Sequence, residues 1–292
     1  MLNLSFITWC LQKLISYFFG EFNQTKQTLW FKRLLHVFLI IKSIYWLSFF
    51  NLFFGANSIV FKSHQWLGNT KDVVFLFYHD ASGHLIFYAL ILLLALCLFQ
   101  IIYSKLYFIG DLFIWFIVVN LNNAAYPTLT GGDHLLAQYL IFNCFLSSNF
   151  VLKAGSFSAI KRALHNVAVL AVMIQLCFVY FLSGLAKFSD LGWLSGSAIS
   201  TITLIDHFSM WGTLKNLGRF GFIALLTNYV VLFYQLLFPV FIWIKTIKKP
   251  LLIVGILMHL YIALFMGIVE FAAIMILGYL YFWPQQKEKP VS

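Results

Sequence analysis

The stretch LIFYALILLLALCLFQIIYS, residues 85–104, runs for twenty residues without a charge. That is about the length a helix needs to cross the hydrocarbon core of a bilayer at roughly 1.5 Å of rise per residue. Seven further apolar segments lie around it, at approximately 34–54, 106–125, 134–152, 166–186, 221–244, 250–267 and 269–283. The whole chain agrees with this reading: of 292 residues 62% are hydrophobic, 20% aromatic and 10% charged, with mean hydropathy +0.90. A soluble domain is about half apolar and about a quarter charged, so this chain has too few charges to solvate a globule of its mass. The composition excludes an open sheet or a soluble enzyme fold. The expected fold class is all-α: a polytopic transmembrane helical bundle of about eight spans.

Residues 6–21, FITWCLQKLISYFFGE, carry an aromatic face around Trp9, Tyr17 and Phe18 but are too short and interrupted to span. They read as an N-terminal interfacial helix. The expected organisation is a cytoplasmic interfacial helix and basic segment over 1–33, one transmembrane domain over 34–283, and a short cytoplasmic tail over 284–292. The thinnest break is Gly267 to Glu270, inside an apolar stretch of 34 residues. It leaves two spans, or one long kinked helix with a re-entrant end, both open.

The net charge of +10 comes from positive residues scattered between apolar runs, which suits topology determinants better than a nucleic-acid surface. With eight spans and a cytoplasmic N-terminus, 13 of the lysines and arginines fall inside, five fall outside, and Lys42 lies within the first span. With seven spans the bias falls to 11 against 7. The positive-inside rule therefore favours eight spans with both termini in the cytoplasm. Phe6 to Phe19, interrupted by Gln12 and Lys13 and followed by no small-residue cleavage site, does not read as a cleavable signal. Cys10, Cys97, Cys144 and Cys177 each sit in an apolar stretch without metal-ligand spacing and read as buried free thiols. No internal repeat, P-loop, dinucleotide fingerprint, Ser/His/Asp arrangement or metal motif is present.

Polar residues are costly at membrane depth, so their clusters are the candidate sites. The first holds Asn120, Asn122 and Asn123, then TLTGGDHLL at 128–136. There Asp133 reads as an N-cap suited to the helix dipole, and His134 adds a titratable neighbour. The second is YFLSGLAKFSDLGWLSGSA at 180–198. Lys187 either snorkels to the interface beside a Trp193 anchor or stands at the edge of an apolar cavity as a general base. The third is Tyr234-Gln235 with His259, and Asn228 lies seven residues before Gln235 on the same helix face.

Several of these residues carry a resemblance. Gln175-Leu-Cys-Phe-Val-Tyr180-Phe-Leu-Ser-Gly184-Leu-Ala-Lys187, followed by Trp193-Leu-Ser-Gly196-Ser-Ala198, resembles the horizontally transferred transmembrane (HTTM) domain family. That family shares its membrane part with vitamin K-dependent gamma-carboxylase. The pattern is a Gln and a Tyr on a helix, a Gly before the Lys, then Trp-x-x-Gly with a small residue. Thr130-Gly-Gly-Asp133, and His259 with Gly267 and Phe271, echo flanking features, so the likeness covers about residues 30–283.

The resemblance implies that Lys187 is the base that deprotonates a reduced naphthoquinone, which then reacts with O2 and leaves as an epoxide after a proton is taken from glutamate. Asp133, with His134 next to it, stands where the carboxylase has a loop histidine. His259 is a further polar partner, and Tyr180, Trp193 and Gln235 are candidate contacts for the small molecule. The carboxylase carries a long extracytoplasmic domain after its membrane part, whereas Ser292 follows nine residues after Trp283. The expectation is therefore against glutamate carboxylation. Two functions stay open: an inner-membrane bacterial protein acting on a lipid-soluble quinol or similar molecule, and a non-enzymatic module for maturation, export or immunity of a small secreted peptide. A transporter is the weakest alternative because no repeat is evident.

Overall fold

A computed structural model describes residues 4–55, 58, 83–103, 108–149, 156–205 and 221–284, and its regular structure is helical throughout. Four helices are long and apolar enough to cross a membrane: Gly83–Tyr103, Ser158–Phe188, Gly221–Phe241 and Lys245–Met266. The chain is an all-helical membrane protein. The segments expected at 106–125 and 269–283 form shorter apolar helices, Phe108–Ala124 and Val269–Phe282. The one expected at 134–152 is helical only to Asn143. That expected at 34–54 belongs to a helix that starts at Thr25 and carries Lys26, Lys32, Arg33 and Lys42.

The chain divides into two compact units, residues 1–170 and 171–292. In the first, α1 (Leu4–Phe19), α2 (Thr25–Ser48), α3 (Phe50–Phe54), α4 (Gly83–Tyr103), α5 (Phe108–Ala124) and α6 (Gly131–Asn143) precede the start of α7 (Ser156–Phe188). Helix α2 packs on α4, α4 on α5 and α5 on α6. The buried stripe of α2 repeats at helical spacing through Phe31, Leu35, Leu39 and Trp46, and it also contains Lys32, His36 and Lys42. Exposed Ile7, Leu11, Leu14 and Ile15 give α1 an apolar face, as a helix lying in a membrane interface requires. Its C-terminal carbonyls, which have no partner within the helix, are met by Asn166: Nδ2 donates to the oxygens of Tyr17 (2.9 Å), Phe18 (3.1 Å) and Glu21 (2.9 Å). His165 Nε2–H donates to Asn23 O (2.8 Å) while Nδ1 accepts from Ser147 N–H (3.1 Å).

The start of α6 differs from the sequence expectation in one respect. Thr130, not Asp133, is the N-cap, with extended backbone (φ −103°, ψ 170°) and Oγ1 accepting from Gly132 N–H (3.2 Å). The two glycines already belong to the first turn, so Asp133 sits three residues in and its Oδ2 accepts from Thr130 N–H (2.7 Å). This reciprocal cap satisfies two terminal donors.

The second unit holds the rest of α7, then α8 (Leu191–Leu194), α9 (Ala198–Leu204), α10 (Gly221–Phe241), α11 (Lys245–Met266) and α12 (Val269–Gly278), closed by a 3-10 turn over Tyr279–Phe282. Gly267 ends α11 with φ +74°, a left-handed cap that favours glycine. Helix α12 then folds back along α11, bringing Tyr279 to Gly255. Helices α7 and α10 approach closely at Gly184, where a Cβ would stand 3.0 Å from the backbone nitrogen of Leu236. Small residues permit such contact between apolar helices.

Candidate functional site: an apolar chamber in the second unit

Helix α7 delivers Tyr180, Ser183 and Lys187 along one face, at spacings of three and four residues. The chain then turns at Asp190, the N-cap of α8, whose Oδ1 accepts from Trp193 N–H (3.1 Å). Helix α10 holds this turn in place: Asn228 Nδ2 donates to Trp193 O (2.8 Å) and Tyr229 Oη to Leu194 O (2.8 Å). The Lys187 ammonium consequently lies over the Trp193 ring, 5.1 Å from its centroid, within cation–π range.

These elements line a partly open cavity of about 680 Å³ whose walls are mostly apolar, with Val231, Met258, Ile262 and Phe271 among them. Of the residues singled out from sequence, Lys187, Tyr180, Trp193, Tyr234, Gln235 and His259 line it. Asp133 and His134 belong to the first unit and are not part of this lining. Among the described residues no carboxylate lies within ion-pair distance of Lys187, and no group of three His, Cys, Asp or Glu could hold a metal ion. All four cysteines are free thiols; Cys97, Cys144 and Cys177 are buried and Cys10 is half-buried.

Next to the cavity a polar cluster is built from three tyrosines and a histidine, all buried. Tyr180 Oη contacts His259 Nε2 (2.6 Å) and also the Tyr279 hydroxyl. Tyr279 Oη meets Tyr234 Oη (3.3 Å), and Tyr234 donates to Leu251 O (3.1 Å). Gly255 makes room for it, because a Cβ there would run into the Tyr234 and Tyr279 hydroxyls and stand 2.7 Å from Tyr279 Cζ. Phe238 packs on Tyr180 with ring centroids 4.3 Å apart. His259 Nδ1 and Gln235 Oε1 are buried and have no hydrogen-bond partner. The sequence reading passed over Tyr279 and Gly255. A glycine four residues before a membrane-depth histidine was the available signal, since it lies one turn away on the same helix face.

In the first unit the structure brings together polar residues that sequence did not connect. Lys32 Nζ donates to Asp111 Oδ2 (2.8 Å) and to the carbonyls of Asn143 (3.2 Å) and Leu146 (3.3 Å). Lys42 Nζ meets Asp133 Oδ1 at 2.5 Å and lies 4.5 Å from the Trp46 ring centroid. All four charged residues are at most 5% exposed. Asp111, an isolated acid at the head of an apolar run, and Lys42, an isolated base within one, were the visible signal: at membrane depth each needs a counter-charge.

No protein-family model, curated protein or solved structure matches this chain.

Proposed function

We propose that the second unit is a binding and reaction chamber for a lipid-soluble small molecule, a quinol or a ring compound of similar size, with Lys187 as the base. The observation that carries this is the apolar cavity of about 680 Å³ with Lys187 on its wall. That volume lies within the range of about 300–1,000 Å³ usual for small-molecule sites, which are mostly apolar with a few convergent polar groups. In this reading the Lys187 amine takes the proton of a ligand hydroxyl. The ammonium so formed stays beside the ligand's new oxyanion, and the dry walls keep their attraction strong. His259 is the polar partner, while Trp193, Gln235 and Tyr180 hold the ring.

The likeness of 175–198 to the HTTM family supports the same assignment. With it come a bacterial inner membrane and a second role in catalysis for Asp133 and His134, while the distribution of lysines and arginines supports an eight-span bundle with both termini cytoplasmic. Lys187→Ala is expected to abolish turnover of a reduced naphthoquinone while the protein inserts and purifies as before. Unchanged turnover would remove the lysine from the chemistry and leave the peptide-maturation module as the better reading. Topology has its own test in a cysteine-free background: single cysteines at Ser58 and Ser195 should both react with an impermeant maleimide from the outer face, and protection of either overturns the arrangement.

A further inference from the structure

Ser183 stands between Tyr180 and Lys187 on the face of α7 that lines the cavity. A serine in a helix can return its hydroxyl to the carbonyl four residues earlier, as Ser43 does to Leu39 O (2.7 Å) and Ser189 to Leu185 O (3.1 Å). Ser183 forms no hydrogen bond among the described residues. Lys187 follows one turn later, at the spacing where side chains on a helix meet. Helical side chains lean toward the preceding turn, which here carries residue 183. The Lys187 amine rests 5.1 Å from the Trp193 ring centroid, and rotation of the flexible lysine stem moves it between ring and hydroxyl. A third group is placed by the close approach of α7 and α10. Without a Cβ on Gly184 the two helices come together at Leu236. The residues immediately before these, Ser183 and Gln235, both reach the cavity wall beside that contact. The Gln235 amide oxygen is buried and has no hydrogen-bond partner, which leaves the amide to a ligand.

We propose that Ser183 and Lys187 are a nucleophile–base pair that makes the chamber an acyl-transfer site for the ester of a long-chain carboxylic acid. This rests on the reading of the cavity as a reaction chamber with Lys187 as its base, and it gives that base a second class of substrate. An ester is uncharged and its chain is apolar, as the lining is. One charge develops during its reaction, an oxyanion that a single donor can meet. The Lys187 amine takes the Oγ proton while Oγ bonds to the ester carbonyl carbon. The Gln235 amide donates to the oxyanion. As the carbonyl re-forms, the bond to the leaving alcohol breaks and Lys187 passes its proton to that oxygen. Water then clears acyl-Ser183: it loses a proton to Lys187 as its oxygen attacks, the acid leaves, and Ser183 Oγ takes that proton back.

The test uses the full-length protein in nanodiscs with two probes, a decyl fluorophosphonate and 4-nitrophenyl decanoate. Peptide mass spectrometry of the wild-type protein should place the fluorophosphonate adduct on Ser183, and the ester should release nitrophenol in a burst. The acetate ester, which lacks the chain, should be poorer in kcat/KM by about tenfold or more. Ser183→Ala should lose adduct and burst together. Lys187→Ala should slow adduct formation about a hundredfold or more. Gln235→Leu should slow nitrophenol release about a hundredfold with KM little changed, the pattern of a lost oxyanion donor. No adduct on the wild type, an adduct on another residue, or a rate that survives Lys187→Ala overturns the acyl-transfer pair and leaves the quinol reading standing. Mapping on the wild type decides the nucleophile even where a variant fails to fold. If Lys187→Ala loses acylation yet turns over a reduced naphthoquinone normally, the acyl-transfer pair stands and the quinol base does not. If the wild type reacts with neither class of substrate, both readings fall.

Discussion

Helix α2 of the first unit and helix α11 of the second both carry polar side chains through apolar surroundings, and the lysines of the one and the histidine of the other are met in opposite ways. On α2, Lys32 and Lys42 are each neutralised by an aspartate, Asp111 and Asp133, on other helices. On α11, His259 has one ring nitrogen occupied by Tyr180 and the other left without a partner beside an apolar cavity. Polar groups that satisfy one another hold helices together. Polar groups left unsatisfied at a cavity wall are available to a ligand. In the proposed reading chemistry belongs to the second unit because its unmet atoms line a cavity; the unmet His36 Nε2 of α2 stands 3.8 Å from Asp111 Oδ1 instead.

The sharpest way to break this contrast is to unpair the first unit. Asp111→Leu leaves the Lys32 ammonium buried without its counter-ion, at an expected cost of about 3–5 kcal/mol. Adding Lys32→Met should recover most of the loss, as read by denaturant unfolding in micelles. If the single substitution is neutral, the pair is not what joins α2 to α5. In the second unit, Gly255→Ala drives a methyl into the Tyr234 and Tyr279 hydroxyls. Overpacking of that kind costs about 1–3 kcal/mol. Turnover of a reduced naphthoquinone should fall with it, and unaltered turnover would detach the tyrosine cluster from the chamber.

Smaller effects refine the comparison. Thr130→Ala removes the side-chain cap of α6 and should cost about 1 kcal/mol, measurable as a modest shift of the unfolding midpoint. A loss of about 1 kcal/mol is also expected for Lys42→Met combined with Asp133→Leu: apolar residues can replace a buried ion pair at little net cost, and what remains is the Asp133 half of the α6 cap. This double variant also decides the standing of Asp133. Retained quinol turnover gives that residue to folding, and abolished turnover in a folded protein gives it to catalysis.

Much of this was legible in the chain. Residues 85–104 announce a spanning helix; the break at Gly267 left two spans or one kinked helix open, and the structure ends a helix there with a left-handed cap. Lys187, Gln235 and His259 stood out because polar side chains are rare in apolar runs, Trp193 as an aromatic anchor beside Lys187 and Tyr180 through the resemblance, and all five line one chamber. Tyr279 did not stand out. A tyrosine near the end of an aromatic stretch reads as an interface anchor, and its role comes from a fold-back that places it against residue 255.

The sequence by itself determined that this is a helical membrane protein, because charge content and the length of apolar runs are additive properties of the chain. It also determined that buried charges would need counter-charges, because hydrocarbon offers no other solvation. Only the tertiary structure decided that Lys32 meets Asp111 across 79 residues and Lys42 meets Asp133 across 91, and that His259 Nδ1 is buried without a hydrogen-bond partner. Those outcomes depend on which helix faces pack together, and no local pattern specifies that.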